Sequence, residues 1–224
     1  MKRFSTLSFV ASVVLVSTLI AGNLPAGATS KAQKAQKKAQ TQLKLRALSL
    51  ANMPLGWEDR AITSIGATPS CLKDLKTTAA HVTRVEVSYV DTPLPAFDQV
   101  LESGSGSAAR FAKFNHSLAT CKHITFNEAG VTLHGTVKPL TFPAFGDTSS
   151  SYALSFKYQK STIGLDVVLV KVGNYVTGLS FEEFGVPDIA QVESLVATAT
   201  AALQFNPKIA APATTTSTTI AAST

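Results

Sequence analysis

The stretch Phe142–Phe156, FPAFGDTSSSYALSF, sets the carboxylate of Asp147 beside the hydroxyls of Ser149, Ser150 and Ser151. A serine nucleophile needs a base to take its proton and an acid to orient that base. The histidines are His81, His116, His123 and His134, and none stands in a recognisable catalytic frame. No G-x-S-x-G elbow occurs. His116 falls in a helical pattern and His134 in an alternating one with Thr132 and Thr136, placements that suit the surface. Asp166, Glu182 and Glu183 show no spacing that marks a glycosidase pair, although distant carboxylates can converge in a fold. The residues read as a non-enzyme, with an unrecognised hydrolase as the last alternative.

Two other patterns invite a chemical reading. Gly104–Ala109, GSGSAA, formally matches G-x-G-x-x-A. A dinucleotide site needs a parallel strand before that motif, inside a βαβ unit. Pro93, Pro95 and the polar DQVLES precede it, so a turn with Ser107 capping the next helix is the expectation. His116, Cys121 and His123 lie close together, but no second cluster completes a tetrahedral metal site. No metal and no cofactor are expected.

The N-terminus points to export. Lys2 and Arg3 precede the apolar run Leu7–Ala21, and Ala26-Gly27-Ala28 offers a small-x-small cleavage pattern. At 15 residues the run covers about 22 Å as a helix, against about 30 Å of hydrocarbon. A cleaved signal peptide over 1–28 is favoured over a retained anchor. An oxidising compartment gives Cys71 and Cys121, the only cysteines, a reason to pair. Closing that 50-residue loop is worth about 4 kcal/mol. A metal-ligand role for Cys121 is the rival.

The formal charge of +6 is unevenly spread. The first 50 residues carry Lys2, Arg3, Lys31, Lys34, Lys37, Lys38, Lys44 and Arg46 and no acid. Ala51–Pro207 carries 11 Lys and Arg against 14 Asp and Glu. A mildly acidic body argues against a nucleic-acid-binding domain. Residues 29–42, TSKAQKAQKKAQTQ from Thr29, form a basic Ala/Lys/Gln spacer that favours helix but lacks an apolar stripe. Its bland reading is a solvated spacer. Its functional reading is contact of Lys31, Lys34, Lys37 and Lys38 with acidic wall polymers or a membrane surface. Residues 207–224 read as a disordered Ala/Thr/Pro tail.

Between spacer and tail, residues 43–206 are long enough for one core. Leu43, Leu45, Leu48, Leu50 and Met53 suggest a helix stopped by Pro54 and Gly56, and Trp57 after it suits a core anchor. Ser70–Lys76 suggests a short helix carrying Cys71. Val82–Val90 alternates, with Val85, Val87 and Tyr89 on one face and Arg84, Glu86 and Ser88 on the other. Ser107–Lys122 carries a helical stripe of Phe111, Phe114, Leu118 and Cys121.

Four strands follow. Val131, Leu133 and Val137 mark the first, and Tyr152, Leu154, Phe156 and Tyr158 the second. Ile163–Val172 is apolar on both faces and should be central. Gly173-Asn174 signals a hairpin to Tyr175–Phe181. A closing helix runs from Pro187-Asp188 to about Leu203 with Ile189, Val192, Leu195, Val196, Ala199 and Leu203 buried. The expected fold is α+β, one domain with an antiparallel sheet of about five strands flanked by helices, in the order α-α-β-α-β-β-β-β-α.

LSLANMPLGW, AARFAKFNHSLATC, LTFPAFGDTSSSYAL, GLDVVLVKVGNYVTGLSF and PDIAQVESLVATATAAL, in that order, resemble one family. It is the actinobacterial exported sensor-type domains, which include PknH-type kinase ectodomains and LpqN-like envelope lipoproteins. The resemblance covers about residues 45–204 and implies an antiparallel sheet with a cleft for a ligand. The expected function is a non-catalytic secreted or cell-envelope protein binding a small apolar or lipid-like ligand between sheet and helices. Tyr152, Tyr158, Tyr175 and Asp147 are the candidate lining, against ordinary sheet-core packing. The alternative is a wall-associated structural protein held by its basic arm.

Overall fold

Among the described residues, eight antiparallel strands form one sheet, in the order β1-β2-β3-β8-β7-β6-β5-β4. The structure, a computed structural model, describes residues 30–62, 69–72, 82–128 and 131–204. The leader, the tail, His81 and the later part of the helix expected over Ser70–Lys76 lie outside the described residues. The elements are α1 (Ser30–Lys44), a 3-10 turn (Leu50–Asn52), β1 (Glu58–Asp59), β2 (Thr83–Val90), β3 (Ala96–Ser103), α2 (Ser107–Thr120), β4 (His123–Glu128), β5 (Val131–Pro139), β6 (Thr148–Tyr158), β7 (Ser161–Val172), β8 (Tyr175–Phe184) and α3 (Ile189–Gln204).

The α+β class and the antiparallel sheet match the sequence reading, and the strand count does not. The expected five become eight because β1, β3 and β4 are added. β3, AFDQVLES, is buried along nearly its whole length although Asp98, Gln99 and Glu102 are polar. It pairs with β2 on one side and β8 on the other, so its polar side chains are enclosed by neighbours. β4 follows directly on the expected helix end at Lys122: α2 stops at Thr120, and Ile124 and Phe126 turn into the core.

The first helix is also displaced. The Ala/Lys/Gln spacer itself forms α1, as its composition allows. The leucine-rich stretch after it is a turn and a single 3-10 turn. Leu43, Leu48 and Met53 are buried, while Leu45 is exposed. Spacings of five carry buried residues off a helical face, so a turning chain buries them instead.

Helices cover different halves of the sheet's two faces. α2 packs Phe111, Phe114 and Leu118 against Phe126, Leu154, Phe156 and Leu165. α3 lies on the opposite face, where Val192, Leu195, Val196 and Ala199 meet Trp57, Phe97, Val168, Val170 and Phe181. Ile189, expected in that stripe, is exposed at the helix start. β7 is apolar on both sides, with Leu165 and Leu169 under α2 and Val168 and Val170 under α3. That double burial is what a central strand requires.

The disulfide joins Cys71 to Cys121 across 50 residues, with Cα atoms 5.9 Å apart. It fastens the 3-10 turn at residues 70–72 to the end of α2. Gly173-Asn174 is a two-residue turn between the paired Val172 and Tyr175. Gly146 has φ +61°, and a Cβ there would lie 2.5 Å from the Lys171 carbonyl oxygen. Glycine is therefore required where the FPAFGD loop passes the β7 end.

Candidate functional site

Alternation on three adjacent strands collects charged side chains on one sheet face. Arg84, Glu86 and Ser88 of β2 pair with Glu102, Val100 and Asp98 of β3. Asp98 and Ala96 in turn pair with Ser180 and Glu182 of β8. Glu182 lies opposite Leu165, whose side chain belongs to the α2 core, so the polar strip continues the α2 face. Asp98, Glu102, Ser88, Ser180 and Glu182 are all buried.

Two knots of ion pairs organise the strip. Arg60 follows β1 and donates its backbone N–H to the Ser88 carbonyl at 2.9 Å. Its Nε donates to Ser88 Oγ and its Nη2 to Asp98 Oδ1, each at 2.7 Å. The two side chains are only 10% and 8% exposed. Arg60 Nη1 is buried with no hydrogen-bond partner among the described residues. In the second knot, Glu102 accepts from Arg110 Nε at 3.1 Å, reached from α2, and lies 3.5 Å from Arg84 Nη1. Arg84 also pairs with Glu86.

Such a strip is not explained by stability. Burying an ion pair costs several kcal/mol per ion in lost hydration, and apolar residues of the same shape usually do as well or better. Buried donors are normally satisfied, so Arg60 Nη1 stands out. The guanidinium fork matches a carboxylate or a phosphate. Arginine–carboxylate knots hold charge in fixed directions. They supply neither a nucleophile nor a histidine base.

A separate acid sits on the opposite face. Asp166 is buried between Ala153 of β6 and Phe181 of β8. Burial pushes its carboxyl up to about 6. No hydrogen bond reaches that carboxylate among the described residues. Glu183, opposite Gly164, is the nearest charged register neighbour on the same face.

The four candidate ligand residues do not meet. Tyr152 is buried in the α2 core, and its hydroxyl donates to Asn115 on that helix. Tyr158 packs against the same core. Tyr175 lies on the other face, under the Arg46 guanidinium at 4.6 Å. Asp147 is exposed at the β7–β8 turn, where its Oδ2 accepts the Gly173 N–H at 2.7 Å. Tyr152 and Tyr158 thus share the α2 core, while Tyr175 and Asp147 lie apart from it. Ordinary core packing is what an aromatic on an alternating strand does first.

Two of the neighbouring serines, Ser149 and Ser151, also have local work. Ser149 Oγ accepts the Phe145 N–H at 3.0 Å, and Ser151 Oγ donates to the Leu140 carbonyl at 2.8 Å. His116, His123 and His134 lie toward the surface, outside the core. Cys121 is in the disulfide, and no group of three metal-binding side chains converges among the described residues. β3 does precede the GSGSAA turn, but it is antiparallel to both its neighbours, so no βαβ unit forms there. Gly106, not Ser107, is the N-cap of α2; Ser107 is buried and donates its Oγ to the Gly104 carbonyl. Lys34, Lys37 and Lys38 are exposed on α1, which also contains Lys31.

Sequence reading missed Arg60, Asp98, Glu102 and Arg110 as site residues. The available signal was Arg84-x-Glu86-x-Ser88 alongside Asp98-x-Val100-x-Glu102, charges two apart on strands able to pair. It went unused because β3 was not recognised as a strand.

No family profile and no curated protein matches the sequence. In structure the chain is similar to the extracellular domain of PknH from Mycobacterium tuberculosis, with a TM-score of 0.59 and 11% identity. The match covers 74% of this chain and 96% of that one. At this identity the likeness is one of fold, and it accords with the resemblance seen in the sequence motifs.

Proposed function

We propose that the chain is an exported, non-catalytic binding module of the cell envelope whose ligand contacts the mixed-charge strip of β2, β3 and β8. Three observations support this reading. The N-terminal 28 residues have the order of a signal peptide. The fold is that of an extracellular domain. The strip holds charges in a buried setting where they gain little for stability.

The observation that carries it is Arg60 Nη1, buried and without a hydrogen-bond partner among the described residues. It favours a ligand with an acidic head, a carboxylate or phosphate, over a wholly apolar one. An envelope lipid with such a head satisfies both this site and the lipid-like expectation. Native mass spectrometry of protein purified from its own host tests the idea, with Arg60→Met beside the wild type. A co-purifying acidic ligand lost from Arg60→Met supports it. No bound species, and no thermal shift with acidic envelope lipids, counts against it.

A further inference from the structure

We propose that α1 is a rigid, one-sided grip for a linear, phosphate-bearing polymer. Its C-terminal turn is fixed to the domain. Leu43 is 2% exposed in a cluster with Val85, Leu101 and Leu203. Two residues past the helix, the Arg46 guanidinium donates to the carbonyls of Ala202 at 3.3 Å and Leu203 at 2.8 Å. The helix axis therefore has a set direction relative to the sheet.

That anchor also fixes which way the lysines face. At about 100° per residue, Lys34, Lys37, Lys38 and Lys44 fall within an arc of about 120°. Leu43 lies about 160° from the middle of that arc, so the lysines point away from the domain. All four are exposed, and none makes an ion pair among the described residues. The first acid in the sequence is Glu58.

The arrangement within the arc selects the partner. Lys37 and Lys44 form one row, Lys34 and Lys38 another, and Thr41 lies between them. The four span about 15 Å along the axis. A chain of phosphates laid along the helix meets both rows at once. A bilayer fits less well, because the arc holds no apolar side chain to insert. The domain body, with 11 basic residues against 14 acidic ones over Ala51–Pro207, confines a polyanion to the arm.

The test uses the chain from Thr29 to Thr224 and inorganic polyphosphate as probe. A charge-preserving variant moves two lysines out of the arc: Gln36→Lys, Lys37→Gln, Lys38→Gln and Gln40→Lys together. Gln36 and Gln40 are exposed, and they lie about 140° and about 100° from the middle of the arc. The wild type should bind with a log K against log salt slope near about −3, as four released counterions require. The rearranged variant should bind at least tenfold more weakly at the same net charge. Equal binding by the variant overturns the proposal, as does a salt slope near zero. Equal or tighter binding to phosphatidylglycerol vesicles at matched phosphate overturns the choice of a linear polymer. If the rearranged variant melts early, Lys34→Gln/Lys38→Gln, confined to the outer face, serves instead; unchanged binding there is equally fatal.

Discussion

Asp147 Oδ2 accepts the Gly173 N–H at 2.7 Å, so the FPAFGD loop is tied to the hairpin between β7 and β8. The Asp147 N–H donates in turn to the Lys171 carbonyl at 2.8 Å. Removing the carboxylate by Asp147→Ala should cost about 1 kcal/mol and lower the melting temperature by a few degrees. Gly146→Ala should cost more, because its Cβ would meet the Lys171 carbonyl oxygen. Thermal melts of the two variants check the order. Equal stability of Gly146→Ala and wild type would contradict the close approach.

Asp166 makes stability depend on pH. Its folded carboxyl titrates near 6 against an ordinary value of 3.8. The charged form is therefore disfavoured by folding. This cost is fully present above about pH 7, is relieved as pH falls through 6, and is gone below 3.8. Asp166→Asn should stabilise the protein by up to about 3 kcal/mol at pH 7.5 and change little at pH 3.5. Urea melts of both proteins at the two pH values give the difference. A stabilisation that stays constant with pH would show that the carboxyl is not the cause.

The Cys71–Cys121 bridge closes a 50-residue loop. Its loss in Cys71→Ser/Cys121→Ser should remove about 4 kcal/mol, or roughly 10 °C of melting temperature. Thiol titration of the native wild type should find no free thiol. Two thiols would refute the bridge.

Arg60 and Asp98 protect one another from burial alone. Asp98→Ala should cost about 3 kcal/mol, because it leaves the guanidinium enclosed without its carboxylate. Arg60→Met/Asp98→Leu should recover most of that loss. A double variant as weak as the single one would mean that the strip is held by packing around Asp98, not by charge. The coupling energy from the cycle of wild type, Arg60→Met, Asp98→Leu and the double variant decides between them.

Local pattern carried the parts of the fold whose residues bury by simple periodicity. Val168, Val170, Leu165 and Leu169 make β7 readable, and Val192, Leu195, Val196 and Ala199 make α3 readable. β3 was hidden because its polarity is satisfied only in the folded state. Gln99 Oε1 accepts the Leu48 N–H at 2.8 Å, and its Nε2 reaches Thr177 Oγ1 at 3.2 Å. No window around Gln99 contains those partners.

The candidate strip was hidden for a related reason. Arg60 and Asp98 are 38 residues apart, and only the pairing of β1 with β2 and β2 with β3 brings them together. The tyrosines pose the opposite difficulty. An aromatic ring is equally suited to lining a cleft and to filling a core, and sequence alone does not separate the two. Asn115, which receives the Tyr152 hydroxyl, lies on α2, 37 residues upstream.

Arg46 and Leu203 are 157 residues apart when the guanidinium meets the last carbonyls of α3. This is a contact of very high order, and chain entropy opposes it until the intervening sheet has assembled. Docking of the final helix therefore adds a second tie to the one that Leu43 already makes with Val85 of β2 and Leu101 of β3. A nascent or C-terminally truncated chain carries the same lysines with only the Leu43 tie to aim them. If α1 grips a polyanion as proposed, a product shortened before α3 should hold the same polymer less tightly than the whole domain.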